Sequence, residues 1–318
     1  MLLGVPGGLF FTRYEAGIRE FFRCLEEGGF LKIKYSTQSN REILEYGLHH
    51  CVDEACLPIK IFHGHVRKLQ EDCDYVVIPR LMKCQSGHAI CPKFAGLPEM
   101  VRSGTGCKTG VFTGPLYLNN GKQLSRRLMS DGRSLGIPDK EIKRALKRGE
   151  FALKERKNRN RGVDSGGDSG LHVAILGHSY NLNDPFINMN VLKKLKDLGI
   201  TGVLADDLYG DKDILEMDFK TKGFIKDPYW ISFRENYVAA LSVADRGTMH
   251  GAIYLSSFGC GLDSFIIDIV RKVLGDIPLL VLKLDEHSGE AGLITRLEAY
   301  AELLERKNRN ADNISPFR

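Results

Sequence analysis

Apolar and polar positions alternate along the chain in blocks whose period switches repeatedly between two and about 3.6 residues, the signature of strands alternating with helices. LLGVP opens the chain as a short apolar strand, and a helix-period run follows from Tyr14 to Leu25. FLKIKYS then reads as a strand. Ser39-Asn40-Arg41-Glu42 has the form of a capping box, and it opens a helix carrying Ile43, Leu44 and Leu48. Pro58 sits where a first-turn proline belongs, at the start of PIKIFHGHVRKLQE. YVVIPRL and GVFTGPLYL predict strands, and DKEIKRALKRGEFALKERKNRN a long amphipathic helix ending near residue 160.

The stretch RGVDSGGDSG, residues 161–170, is polar, rich in Gly and Ser and without period, and reads as a linker. Beyond it HVAILGH, TGVLADD, GAIYLSSFG and PLLVLKLDEH predict strands. They are separated by helices over DPFINMNVLKKLKDLG, DPYWISFRENYVAALSVADRG and LDSFIIDIVRKVLGD, and AGLITRLEAYAELLERKNRN adds a last helix. Strands alternating with helices mean βαβ units and parallel sheets covered on both faces. The expectation is therefore an α/β protein with a first domain over 1–160 and a second over 171–318.

Composition narrows the picture modestly. The 318 residues suffice to bury real cores, and a net charge of +5 is far from a nucleic-acid footprint. No apolar run reaches membrane-spanning length, and the N-terminus lacks a basic leader, so the expected location is the cytoplasm. ERKNRN occurs at 155–160 and again at 305–310, each time in a basic helix end that complements the helix dipole. Eight cysteines in such a chain leave metal ligation, catalysis or burial as their roles rather than a disulfide framework.

In open α/β sheets ligands bind beyond the carboxyl ends of the strands. In the second half those ends carry Gly177-His178-Ser179-Tyr180, Asp206-Asp207, Phe258-Gly259-Cys260-Gly261 and Asp285 to Glu290; in the first half the matching places hold Cys56 and the segment around Cys91. Cys56 lies two residues before Pro58, Cys91 directly before Pro92, and Cys260 between two glycines ahead of LDSFIIDIV. Each stands just upstream of a predicted helix start, which favours a thiolate and hence an anionic metal cluster. Spacing leaves both readings open: Cys51 and Cys56 form only a C-x4-C pair, no C-x2-C occurs, and buried cysteine is common in cores. Cys24 and Cys73 read as structural, Cys84 as a reserve ligand, and Cys107 has no clear role. SGTGCKTG, 103–110, imitates a phosphate loop but has Cys107 where that motif needs glycine.

CVDEACLPIKIFHGHV, YVVIPRL, CPKFAGLPEM, FGCGLDSF and KLDEHSGEAGLITRLEAY together resemble the activase-related branch of the 2-hydroxyacyl-CoA dehydratase family, proteins similar to its D-component. The resemblance implies two Rossmann-like halves with an iron–sulfur cluster in the crevice between them. It implies Cys56, Cys91 and Cys260 as ligands of a [4Fe–4S] or larger double-cubane cluster, with Cys51 as an open fourth case. It further implies an ATP-dependent iron–sulfur activator as electron donor, a small-molecule or CoA-thioester substrate, oxygen-sensitive chemistry, and a homodimer or a heterodimer with a related subunit. The chain departs from the family pattern at Pro6-Gly7-Gly8, where relatives often carry P-R-G; Arg13 is the available substitute. It also lacks the activator's own nucleotide-binding motifs.

On the loop DEHSGEAG, His287 and Glu290 are candidate acid–base groups or partners of cluster sulfurs; the alternative is a solvated loop capping the next helix. His63 and His65, two apart on one helix, cannot chelate one metal, so one is expected to face the crevice and the other to pack or lie at the surface. His178, Tyr180 and Asn181 are candidate pocket walls, and Trp230 reads as core. Three functions compete. The first is an iron–sulfur redox component that reduces or dehydrates a substrate, and the second a non-catalytic electron-relay or scaffold subunit. The third is an iron-free α/β binding domain or hydrolase using the Asp285–His287 loop.

Overall fold

The computed structural model describes residues 1–9, 11–84, 86–160 and 170–314. The chain forms two compact units, Met1–Gly162 with Pro228–Ile231, and Val163–Asp227 with Ser232–Arg318. Residues 161–169 of the expected linker lie outside the described residues.

The first unit runs β1 (Leu2–Val5), α1 (Phe11–Glu27), β2 (Lys32–Tyr35), α2 (Arg41–His49), α3 (Leu57–Leu69), β3 (Tyr75–Val77) and β4 (Arg80–Lys83). It continues through α4 (Pro92–Ala95), α5 (Leu97–Thr105), β5 (Gly110–Val111), β6 (Pro115–Tyr117), α6 (Gly121–Ser134) and α7 (Asp139–Asn160). A parallel sheet of order β2-β1-β3-β5 forms its centre, and β4 and β6 pair separately as a parallel ribbon. YVVIPRL and GVFTGPLYL each divide between the two sheets. Pro79 has no N–H to continue a ladder and restricts the residue before it, and Phe112 turns the second segment with φ 59°. Asn40 alone caps α2, its side chain accepting from Ile43 N at 3.0 Å. Glu42 pairs instead with Lys68, so the capping box expected from Ser39 is replaced by an asparagine cap.

The second unit runs β7 (Leu171–Gly177), α8 (Ser179–Leu182), α9 (Val191–Asp197), β8 (Ile200–Leu204), α10 (Ala205–Leu208) and α11 (Asp211–Glu216). Then follow α12 (Ile231–Arg246), β9 (Gly251–Ser257), α13 (Asp263–Leu274), β10 (Leu279–Leu284) and α14 (Glu290–Ile314). Its sheet is parallel with order β10-β9-β7-β8. The helix expected from Asp184 begins only at Val191, because the Asp184 carboxylate turns the chain by accepting from Phe186 N and Ile187 N. The helix expected from Asp227 begins at Ile231, since Trp230 is held extended against Ala89. Both units place their first strand inside, beside the second on one side and the third on the other. The strand order therefore reverses between β1 and β3 in one sheet and between β7 and β9 in the other, the places where doubly wound sheets open to ligands.

Candidate functional site

The reversal point of the second sheet is built from two buried strands in unusually close contact. Gly177 ends β7 with φ +138°, and a Cβ there would stand 2.4 Å from the Leu255 carbonyl oxygen of β9. Its N–H donates to Asn236 Oδ1 at 2.9 Å. The next residue, His178, heads α8. All seven residues of β9 are buried, and beyond it a turn through Gly259 returns the Cys260 N–H to the Ser257 carbonyl at 3.0 Å. Asp263 then opens α13. His178, Cys260 and Asp263 thus converge from two strand ends, with their donor atoms all within 4.8 Å of one another.

The geometry is specific. His178 Nε2 lies 3.0 Å from Asp263 Oδ1 and 3.5 Å from Cys260 Sγ. Tyr254 donates its hydroxyl to Asp263 Oδ1 at 2.8 Å, and Ser256 donates to Oδ2 at 2.7 Å. The Tyr180 ring stacks on the imidazole at 4.9 Å and 13°. His178 and Asp263 are buried, while Cys260 is half-buried. Burial alone would drive His178 neutral; the adjacent Asp263 carboxylate outweighs it and holds the imidazole pKa well above its usual value. Burial likewise works against the Asp263 carboxylate, but His178 and the Ser256 and Tyr254 hydroxyls keep its pKa below the ordinary one. Such a group can hold a metal ion, or it can present a fixed N–H to a thiolate.

In the first unit, α2 and α3 meet backbone to backbone. A Cβ on Gly64 would stand 1.9 Å from the Ile43 carbonyl oxygen, and one on Gly47 2.0 Å from that of Lys60. Around this contact Cys56 caps α3, buried, with Pro58 in the first turn and no capping hydrogen bond from its side chain. Cys91 caps the short α4 in the same way and is half-buried. Burial pushes the half-buried Cys51 thiol up to about 11, against the pull of Lys60 and Lys93 and with Cys56 close enough to add to the rise. Lys60, 2% exposed, is the buried one of the two lysines that act on Cys51. None of the eight cysteines is joined in a disulfide. Among the described residues three metal-donor side chains converge at His178, Cys260 and Asp263, where a thiol stands beside an imidazole, while Cys51, Cys56 and Cys91 are the thiols that the first unit offers a thiolate-bound metal.

A family model described as the CoA enzyme activase uncharacterised domain (DUF2229) matches residues 3–208. The chain belongs to this family. No curated protein matches it. The CoA enzyme activase match spans Cys51, Cys56, Cys91 and His178, whereas Cys260 and Asp263 follow it in the chain. Among the described residues no helix is long and apolar enough to cross a membrane.

Other expected site residues sit as follows in this CoA enzyme activase family member. His287 is exposed, and its N–H donates to Asp285 Oδ1, which also accepts from Ser288 Oγ; that carboxylate folds its own loop. Glu290, exposed at the start of α14, pairs with Lys194, whose hydrogen bond holds the carboxyl below its ordinary pKa. Cys84 is buried in a turn, its Sγ 2.8 Å from Ser86 Oγ. SGTGCKTG proves to be the C-terminal turn of α5, capped by left-handed Gly106, and presents the negative end of a helix dipole rather than a phosphate cradle. His63 and His65 are both buried, at 1% and 0% exposure, so of the two alternatives given for the second histidine the structure has packing and not surface. His63 donates through Nδ1 to Ile59 O, and His65 Nε2 meets Ser39 Oγ. Asp263 carries no motif in the sequence beyond its place in the first turn of an amphipathic helix, three residues after Cys260. That place alone marks a helix start and not a partner for a histidine distant in the chain.

Proposed function

We propose that this protein is an iron–sulfur redox component of the CoA-dependent dehydratase type, similar to the D-component. It accepts low-potential electrons from an ATP-dependent activator and passes them to a small substrate or CoA thioester. Cys56, Cys91 and Cys260 hold a [4Fe–4S] or larger double-cubane cluster in this reading, with Cys51 as the additional thiol. When bound, the cluster supplies the one-electron chemistry. The chain's own residues hold thiolate sulfur, offset its charge through Lys60, donate an N–H from His178 and keep water away by burial. His287 and Glu290 are proposed as the exposed polar groups that meet the substrate.

The observation that carries the reading is Cys260, half-buried at the strand-order reversal of the second sheet, 3.5 Å from His178 Nε2. A thiol kept only for packing needs neither that position nor that donor. The relay or scaffold alternative draws support from Cys51, which lies close enough to Cys56 and two lysines to feel their charge and could close the ligand set. Protein purified without oxygen is expected to be brown and to carry about four irons or more per chain. Cys260→Ser is expected to lose most of that iron, and a colourless wild type without iron ends the proposal. Cluster spectra that shift on adding a CoA thioester select the catalytic reading; unchanged spectra select the relay.

A further inference from the structure

We infer that His178 is the N–H donor to the Cys260 sulfur, locked in that role by Asp263, and that it raises the reduction potential of the metal centre Cys260 serves. The inference rests on the proposed binding of a cluster by Cys260 and assigns a positioning pair that the cysteines alone do not reveal.

Three features make His178 a donor rather than a metal ligand. Its Nε2 is the atom nearest both acceptors, 3.0 Å from Asp263 Oδ1 and 3.5 Å from Cys260 Sγ. A carboxylate only accepts, so Nε2 carries the proton, and the sulfur 3.5 Å from the same nitrogen is left to accept from it. A ligand imidazole would have to present a lone pair there instead. Both Asp263 oxygens are also engaged: Oδ1 takes Tyr254 and His178, and Oδ2 takes Ser256. Turning that carboxylate to a metal would disturb the hydrogen-bonded set of a residue that is 1% exposed. Finally, Tyr180 stacks on the ring face at 4.9 Å and favours this orientation of the imidazole.

The consequence is electronic. An N–H directed at a thiolate withdraws charge from sulfur and favours the reduced, more negative state of the metal centre. A neighbouring carboxylate sets how strongly that N–H is shared.

The test uses the full chain, purified and reconstituted with ferrous iron and sulfide without oxygen. Iron content, the midpoint potential and the Fe–S stretching bands in H2O and D2O are measured for wild type, His178→Phe and Cys260→Ser. The phenylalanine keeps the stack on Tyr180 and removes the N–H. The expected result is wild-type iron content in His178→Phe, a more negative midpoint, and loss of a deuterium-sensitive Fe–S stretch that wild type shows. Tyr254→Phe, which withdraws one donor from Asp263 and leaves His178 in place, is expected to shift the midpoint in the same direction by less. It serves as the potentiometric test if His178→Phe does not fold. Iron lost from His178→Phe as completely as from Cys260→Ser would make His178 a ligand and overturn the inference. So would a loaded cluster with unchanged midpoint and bands in His178→Phe, or a wild type whose Fe–S bands ignore deuterium; in both cases the cluster reading stands. Wild type that binds no iron ends both.

Discussion

At the residue scale the decisive feature is a buried imidazole–carboxylate pair whose every oxygen and the shared N–H are assigned. Removing one member of such a pair leaves the other charge buried and unmatched. Asp263→Asn is expected to lower stability by about 3 kcal/mol, read from urea unfolding of the metal-free chain. His65 offers a pH prediction with the opposite chemistry. Among the described residues no charge acts on it and its Nδ1 has no hydrogen-bond partner, and burial lowers its pKa from 6.5 to about 4. The unfolded chain therefore takes up this proton first as pH falls. The stability tied to neutral His65 is complete above pH 6.5 and drains away between there and about pH 4. It amounts to about 3 kcal/mol. Urea midpoints between pH 4 and 7 should fall less steeply in His65→Gln than in wild type.

At the element scale the first unit depends on how closely α2 and α3 approach. Gly64→Ala places a methyl 1.9 Å from the Ile43 carbonyl oxygen, and backbone on a packed helix cannot step aside cheaply. The expected cost is about 2–3 kcal/mol in unfolding free energy. Iron retention should fall as well, because Cys56 heads the displaced helix. In the second unit Tyr300 fastens α14 to the sheet, its hydroxyl within 2.9 Å of Ala252 O and 2.8 Å of Pro278 O. Gly251 leaves room for it: a Cβ there would lie 2.2 Å from that hydroxyl. Tyr300→Phe is expected to cost about 1–2 kcal/mol, measured by thermal or urea unfolding, with cluster content unchanged.

At the scale of the whole molecule, two four-stranded sheets share one strand order, but only Cys260 follows a strand of either sheet closely; Cys56 lies between α2 and α3 rather than at the strand end expected for it, and the family match covers the first unit and the opening of the second. Iron analysis of Cys56→Ser, Cys91→Ser and Cys51→Ser in the full chain is expected to separate ligands, which lose most iron, from Cys51 if it is a bystander, which keeps it. Much of the architecture was open to reading from the chain alone, because period-two and period-3.6 patterns, first-turn prolines and glycine stops are local and survive without tertiary context. The strands LHVAILG and GAIYLSS, the helix starts at Leu57 and Asp263, and the position of Cys56 and Cys260 before them all follow from such local chemistry. The divided strands at Pro79 and Phe112 were less open, since an apolar run does not say which of two sheets each piece joins. Least open was the partnership of His178 with Asp263: 85 residues separate them, a distance only strand order can close. Local spacing determined that a thiol stands at a strand's end. The folding of β7 against β9 decided which buried N–H it meets, because a hydrogen bond between distant residues exists only once the sheet has set their strands side by side.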